Sequence, residues 1–454
     1  MSDSTQAAPA EAGHDDYSLR RVPEEAKYSW WVMVVQRFGQ LSALTQFMIG
    51  ASLGMGMSFW DAVLAITVGS VILELVTVLT GVMGVREGLS TSLLARWTGF
   101  GSGGSALVGL VIAVTSVGWF GVQNTFFAQS LADTVGGPPL WAWCLIGGAL
   151  VTAIVVYGFA SMTWVAFVTV PAFLALAAYT VVDALRDHSL GDLVSAAPTG
   201  DPLTLGAGAT LVAGGFIVGA IFTPDMTRFN RTTGDVVKQT VVGVTVGEYV
   251  ICLTGVLLAH AAKTSDIVSI VVGTSGALGA AIMVTAVLKV NDWNLYASSL
   301  ATVNSVDVLL RGRRLSRTAV TITLGVAGSV ISALGIIDKF VEFLTVLGVV
   351  LPPVAGIMIA EYFVVRTWRG ALDLSRARDE LPADSPEWVP ACLVAWAAAA
   401  AVGHWVDLGI PALNSIAVAF LLYVAAGKLG LTRGYSRATV AAPPAPPAPV
   451  REEV

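Results

Sequence analysis

Charged side chains are scarce in this chain. They make up 12 % of its 454 residues, against roughly 25 % in soluble domains, which excludes an ordinary water-soluble globule. Cysteine is almost missing. The three present, Cys144, Cys252 and Cys392, lie in apolar stretches with no paired spacing, so they exclude a disulfide framework and read as small core residues. The four histidines are scattered, which argues against a clustered metal site, and the expectation is no metal and no cofactor. Serine, histidine and aspartate do not gather into a nucleophilic set, so an enzyme is not expected. The net charge of −6 gives no reason to expect a nucleic-acid partner. Residues 1–25 are polar and acidic without a cleavable apolar core, which reads as a tail rather than a signal peptide.

What the chain has instead is apolar length. Hydrophobic residues are 55 % of it, and they fall into stretches long enough to span a bilayer at about 20 helical residues per crossing. Twelve spans are expected: 32–56, 60–85, 106–132, 141–159, 162–185, 205–223, 236–262, 275–303, 318–337, 340–365, 388–406 and 410–429. With both termini in the cytoplasm, 21 of the 25 Lys and Arg residues, Arg37 among them, fall on the inner side. Only Arg186, Lys263 and Lys339 fall outside, and Lys289 stays in the membrane. That asymmetry is the one that positive residues impose on loops.

Lys289 is the most informative residue. It follows an apolar run from 267 to 288, and Asn291, Asp292 and Asn294 come directly after it. An ammonium at the centre of a membrane helix costs roughly 2.5–3.5 kcal/mol on insertion scales, so it faces a cavity or a partner. Glu74 and Glu248 are the other intramembrane ionisable groups, each a candidate proton carrier or counter-charge. Two spans carry helix-weakening sequence at mid-depth: residues 39–46 in the first, ending at Gln46, and the glycine-rich 213–220 in the sixth, followed by Pro224. Interruptions five spans apart are the pattern of a five-helix repeat used twice in inverted orientation, with substrate held at the breaks. In the third span Trp119 and Gln123 are four apart and share a face. An indole beside a carboxamide suits a flat polar ring, with Phe216 as the opposing aromatic.

Seven blocks in order then carry a resemblance: GASLGMGMSFWD (50–61), GLSTSLLAR (88–96), VGWFG (117–121), TPDMTRF (223–229), NDWNLYAS (291–298), PPVAGIMIAEY (352–362) and GHW (403–405). From about residue 32 to 428 the chain resembles the nucleobase–cation symporter-1 family, in its purine/cytosine permease branch. The resemblance implies an all-α integral membrane protein of the leucine-transporter fold, with a 5+5 inverted repeat and helices 1 and 6 broken. Residues 1–31 would be a cytoplasmic tail, 32–366 the ten-helix transport core, 367–429 two added helices, and 430–454 a Pro/Ala-rich cytoplasmic tail. It implies a stacking tryptophan at Trp119, an opposing aromatic at Phe216 and a substrate-binding asparagine at Asn291. Gln123 resembles a carboxamide used by a hydantoin-transporting relative. Gly215 and Val218 stand where the branch has pocket serines, and Ser116 where it has a pocket glutamine.

By the same resemblance, two hydroxyl residues that help bind sodium fall on Lys289 and Val290. Lysine offers no acceptor, and valine no side-chain oxygen. The expectation is therefore an importer of a nucleobase or related planar heterocycle that needs no sodium and is proton-coupled or facilitative. Lys289 would stand in for the ion, with Asp292, Glu248 or Glu74 as counter-charge. The alternative is a carrier of an amino acid or amine on the same fold. The expected setting is a bacterial cytoplasmic membrane, with the protein a monomer.

Overall fold

A computed structural model describes residues 15–310, 315–335, 350–406 and 409–439. The chain is mostly helical. Its principal helices are α1 (Trp30–Leu41), α2 (Leu44–Gly56), α3 (Phe59–Glu87), α4 (Gly101–Val135), α5 (Leu140–Val156), α6 (Phe159–Asp187) and α7 (Leu205–Ile221). They continue with α8 (Thr223–Thr227), α9 (Thr233–Ala262), α10 (Ile267–Leu309), α11 (Arg317–Ala333), α12 (Pro352–Val365), α13 (Pro390–Trp405) and α14 (Pro411–Lys428). Among the described residues five helices, α3, α4, α6, α9 and α14, are long and apolar enough to cross a membrane. Five further apolar helices have 10–17 residues. The expected spans 318–337 and 340–365 run partly through residues outside the described ones, as do Lys339 and the Pro/Ala-rich tail from residue 440 onward.

Local chemistry sets the helix ends. The Ser58 hydroxyl accepts from the Asp61 amide at the start of α3, and Gly88 closes that helix in the left-handed region at φ 63°. Thr232 and Asp235 form a reciprocal capping box at the start of α9. Proline opens α12, α13 and α14, where its missing N–H costs nothing. Helices α2 and α9 touch backbone to backbone: a Cβ on Gly50 would lie 2.1 Å from the Cys252 carbonyl oxygen, and one on Gly255 would lie 2.4 Å from that of Phe47.

The first span leaves helical geometry between α1 and α2, at Ser42 (ψ 49°) and Ala43 (φ −99°, ψ 145°). The Ser42 hydroxyl donates to the Gly39 carbonyl at 2.9 Å, so part of the interrupted backbone is satisfied locally. The sixth span differs from expectation. Residues 213–220 are helical throughout, and the chain departs from α7 only at Phe222, before α8 opens with Pro224. Glycine costs a helix about 1 kcal/mol, less than stranding a backbone amide in hydrocarbon. Proline removes the amide altogether and ends the helix.

The polar N-terminal segment is not a free tail over its described part. Asp16, Ser18, Arg21 and Val22 are buried. The Asp16 carboxylate accepts from the Tyr296 hydroxyl at 2.6 Å and the Phe159 amide at 3.0 Å. Arg228 donates to the Asp16 and Tyr17 carbonyls and to the Tyr296 hydroxyl. Strand β1 (Asp384–Trp388) pairs antiparallel with β2 (Tyr435–Thr439), closing the C-terminal part onto the start of α4.

A buried carboxylate ties these parts together. Glu87, at the end of α3, accepts from Arg21 at 3.1 Å, from the Tyr362 hydroxyl at 2.6 Å and from Arg376 at 2.7 Å. Replacing Glu87 by glutamine leaves two guanidinium groups short of their anion. Thermal unfolding in detergent should show a loss on the order of 3–5 kcal/mol, as for one half of a buried pair. Asp183→Asn, which breaks only an exposed pair with Arg186, should cost no more than about 1 kcal/mol.

Candidate functional site

A cavity opens beside the interruption of the first span. Its walls come from both sides of that break (Gln40, Ala43, Thr45, Gln46), from α4 (Trp119, Gln123), from the C-terminal half of α7 with Phe222 (Gly214, Gly215, Phe216, Val218, Gly219), and from α10 (Val290, Trp293, Asn294, Ala297). Two features follow from the residue types. The lining is rich in aromatic faces and carboxamides, and no lining residue carries a charge. Gly215 keeps the space open, because a Cβ there would meet the Ile49 Cδ1 at 2.3 Å and the Gln46 Oε1 at 3.2 Å.

Several polar atoms around it are buried and unpaired. Of the lining residues, the Oε1 atoms of Gln46 and Gln123 and the Nε1 of Trp293 have no hydrogen-bond partner among the described residues. Unmade hydrogen bonds at buried atoms cost about 1–3 kcal/mol each, so a cluster of them beside one cavity fits a site completed by a ligand or water.

Of the residues expected from sequence, Trp119, Gln123, Phe216, Gly215 and Gln46 line the cavity together. Asn291 and Ser116 do not. Asn291 is fully buried; its amide donates to the Phe120 carbonyl at 3.0 Å, and its oxygen accepts from Asn294 at 3.1 Å. Its neighbour one turn on, Asn294, reaches the cavity instead. Sequence reasoning also passed over Gln40, Thr45 and Trp293, although the first two lie inside the polar stretch 39–46 that marked the break.

Lys289 and Asp292 form an ion pair behind the cavity wall. The ammonium donates to Asp292 Oδ2 at 2.7 Å and Oδ1 at 3.0 Å, and neither side chain is exposed. The lysine stem lies against the last turn of α1: a Cβ on Gly39 would fall 2.8 Å from its Cε and 3.3 Å from Val170 of α6. The cation therefore sits where α1, α6 and α10 meet. Glu248 does not take part. Its Oε1 accepts from the Gln46 amide at 3.4 Å and its Oε2 from the Cys252 thiol at 3.3 Å. Glu74 is half-buried on α3 and accepts from the Thr245 hydroxyl, so of the three proposed counter-charges Asp292 is the one in contact.

Arg37 is a second buried cation, and its side chain is fully buried within α1. Its guanidinium donates to Gln40 at 2.9 Å, to Thr223 at 3.2 Å and to Gln239 at 3.3 Å. It also lies 5.8 Å from the centre of the Phe216 ring. The wide turn Val241–Val246 of α9 accommodates it, with Gly243 against its stem.

Below Trp293 the cavity floor is aromatic. Trp293 meets Phe159 and Tyr296 edge to face, and Phe159 stacks on Phe229 with centroids 4.3 Å apart.

Comparison with known proteins agrees with this architecture. Residues 21–430 match the family described as permease for cytosine/purines, uracil, thiamine, allantoin. The cytosine permease of Escherichia coli (strain K12) is 30 % identical over 412 residues, covering 90 % of this chain and 94 % of that protein. The hydantoin permease of Microbacterium maritypicum is 24 % identical over 372 residues, covering 77 % and 74 %. Among solved structures, Mhp1, a nucleobase-cation-symport-1 family transporter in a closed conformation with bromovinylhydantoin bound, aligns with a TM-score of 0.76. It is 19 % identical and covers 91 % of this chain and 95 % of its own. A Na+-coupled sialic acid symporter aligns at 0.67 with 12 % identity, over 96 % of this chain and 94 % of that one. An aromatic and carboxamide cavity beside a broken helix thus lies in a chain that belongs to the cytosine/purine permease family of nucleobase–cation symport-1 transporters.

Proposed function

We propose that this protein is a secondary transporter that imports a nucleobase or related small planar heterocycle, of cytosine, purine, uracil or hydantoin type. It would work by alternating access about the cavity between α1–α2, α4, α7 and α10. The observation that carries this reading is the lining itself: Trp119 and Phe216 offer faces for a ring, carboxamides offer hydrogen bonds to its edge, and no formal charge is present. An amino acid or amine carrier would call for a carboxylate or a cation in the wall, so that reading is the weaker one. In this picture the chain crosses a bacterial cytoplasmic membrane twelve times with both termini inside. The first span is broken at Ser42 and Ala43, the sixth turns only at Phe222, and the first ten spans form the inverted repeat.

The same reading makes Lys289 the resident cation. Its ammonium, neutralised by Asp292, sits against the last turn of α1 before the break, the position that the resemblance gives to sodium. An ion that never leaves needs no gradient, so transport is proton-coupled or facilitative.

Three outcomes are expected. Radiolabelled uptake into proteoliposomes, screened over cytosine, uracil, hypoxanthine and hydantoin, should be the same in sodium and choline chloride; a strict sodium requirement would refute the lysine reading. Lys289→Ser combined with Val290→Thr should introduce sodium stimulation, since it supplies two hydroxyl oxygens and exposes Asp292 to an incoming cation. For the pocket, Gly215→Val should reduce binding of the transported ring by tenfold or more, on the order of the discrimination set by one or two methylenes. Gly206→Ala lies on the same helix with open space around its Cβ, and it should leave binding unchanged.

A further inference from the structure

Two glutamines on either side of the first-span break line the cavity, and each is held through the opposite end of its amide by a buried side chain outside the lining, Arg37 or Glu248. A guanidinium has donors and no acceptor. Arg37 donates Nη1 to the Oε1 of Gln40, so Gln40 is left with its NH2 for the cavity. Glu248 shows the reverse. Both of its carboxylate oxygens accept, one from the Gln46 Nε2 and the other from the Cys252 thiol. Gln46 is thereby left with its Oε1 turned away from Glu248, buried and without a partner. Arg37 can only donate, so it fixes the Gln40 amide, and Glu248 fixes the Gln46 amide when its carboxyl is ionised. Arg37 meets only neutral oxygens in its hydrogen bonds, on Gln40, Thr223 and Gln239. Glu248 likewise meets only an amide and a thiol.

Resting on the reading of this cavity as the substrate site, we infer that Arg37 and Glu248 are positioning residues for specificity, and that the substrate presents a carbonyl oxygen to Gln40 and a ring N–H to Gln46. That is the edge of a cyclic amide, imide or ureide. A ring without a carbonyl, or one whose edge nitrogens are all methylated, meets the wrong atom at one glutamine or the other. Gln123 adds a second unpaired acceptor oxygen, which favours a ring with more than one N–H. The polarity belongs to this chain's own side chains, because it is set by two residues outside the cavity lining.

The test is equilibrium binding to the purified full-length protein. The probes are hydantoin, uracil and hypoxanthine, each beside its fully ring-N-methylated derivative, with adenine as the carbonyl-free ring. Wild-type protein should bind at least one of the three and prefer it to its methylated derivative by about 100-fold or more. Arg37→Met and Glu248→Gln each free a glutamine to turn over, so that preference should fall below about tenfold. Arg37→Lys keeps a donor-only cation on Gln40 and should retain most of the preference. If Arg37→Met does not fold, Gln40→Glu tests the same point, since it removes the NH2 while keeping the acceptor for Arg37, and carbonyl rings should no longer bind. A merely structural role predicts lower thermal stability with the preference ratio unchanged, and that result overturns the inference. So does equal binding of adenine, or no binding by all three amide rings. Trp119→Ala separates the two levels: ring binding unaffected by it would show that the cavity is not the substrate site, whereas ring binding lost with it but insensitive to Arg37 and Glu248 would defeat only the polarity.

Discussion

The Lys289 ammonium and the Asp292 carboxylate lie 2.7 Å apart with no exposure to solvent, and they sit three residues apart on one helix. A lone charge at that depth would shed its proton or pull the helix out of place. Because the partner is one turn away on the same element, α10 brings its own neutralisation and needs no counter-ion from α3 or α9. Glu74 and Glu248 are consequently left to hydrogen-bond with Thr245, Gln46 and Cys252. The lysine stem packs on the last turn of α1 at Gly39, and the helix is interrupted three residues later.

Much of this could be read from the sequence because membrane burial makes polar residues conspicuous. The island from Lys289 to Asn294 stood out against an apolar run, and residues 39–46 marked an interruption that does fall within them, at Ser42 and Ala43. The misreadings share a cause. Asn291 and Asn294 are three apart and share a helix face, so only packing decides that one is consumed by the Phe120 carbonyl while the other meets the cavity. Arg37 lies in the first apolar span, and nothing local in the sequence says which groups it meets. Its actual partners, Thr223 and Gln239, are distant in sequence. The N-terminal segment looked like a tail because its composition is polar, and Asp16 finds Tyr296 across 280 residues. Local pattern gives depth in the membrane, and long-range hydrogen bonding decides which way a side chain turns.

Likeness to Mhp1 at 19 % identity speaks to the fold and leaves the chemistry of recognition to individual side chains. On the function proposed above, carboxamides carry that chemistry in this chain. An amide can donate or accept depending on what holds its other end, so a lining of glutamine and asparagine is undetermined until the second layer is known. That layer contains Arg37 behind Gln40 and Glu248 behind Gln46. In a low-dielectric interior a satisfied polar network is rigid, and an unsatisfied one is costly. The unpaired Oε1 atoms of Gln46 and Gln123 are therefore the places where a ligand's N–H groups would gain most.

Trp293 links the cavity to the far side of the protein. Its ring lines the pocket, while its edge packs on Phe159 and Tyr296. Those two residues are in turn held by Asp16, through the Phe159 amide and the Tyr296 hydroxyl. Arg228 clasps the same tyrosine and the Asp16 and Tyr17 carbonyls. A path from the cavity past Trp293 in that direction has to part stacked rings and charge-assisted hydrogen bonds together, which are roughly twice as strong as neutral ones. Packed cores rearrange between discrete arrangements rather than deform continuously. The pocket wall and this aromatic cluster consequently share one side chain, Trp293.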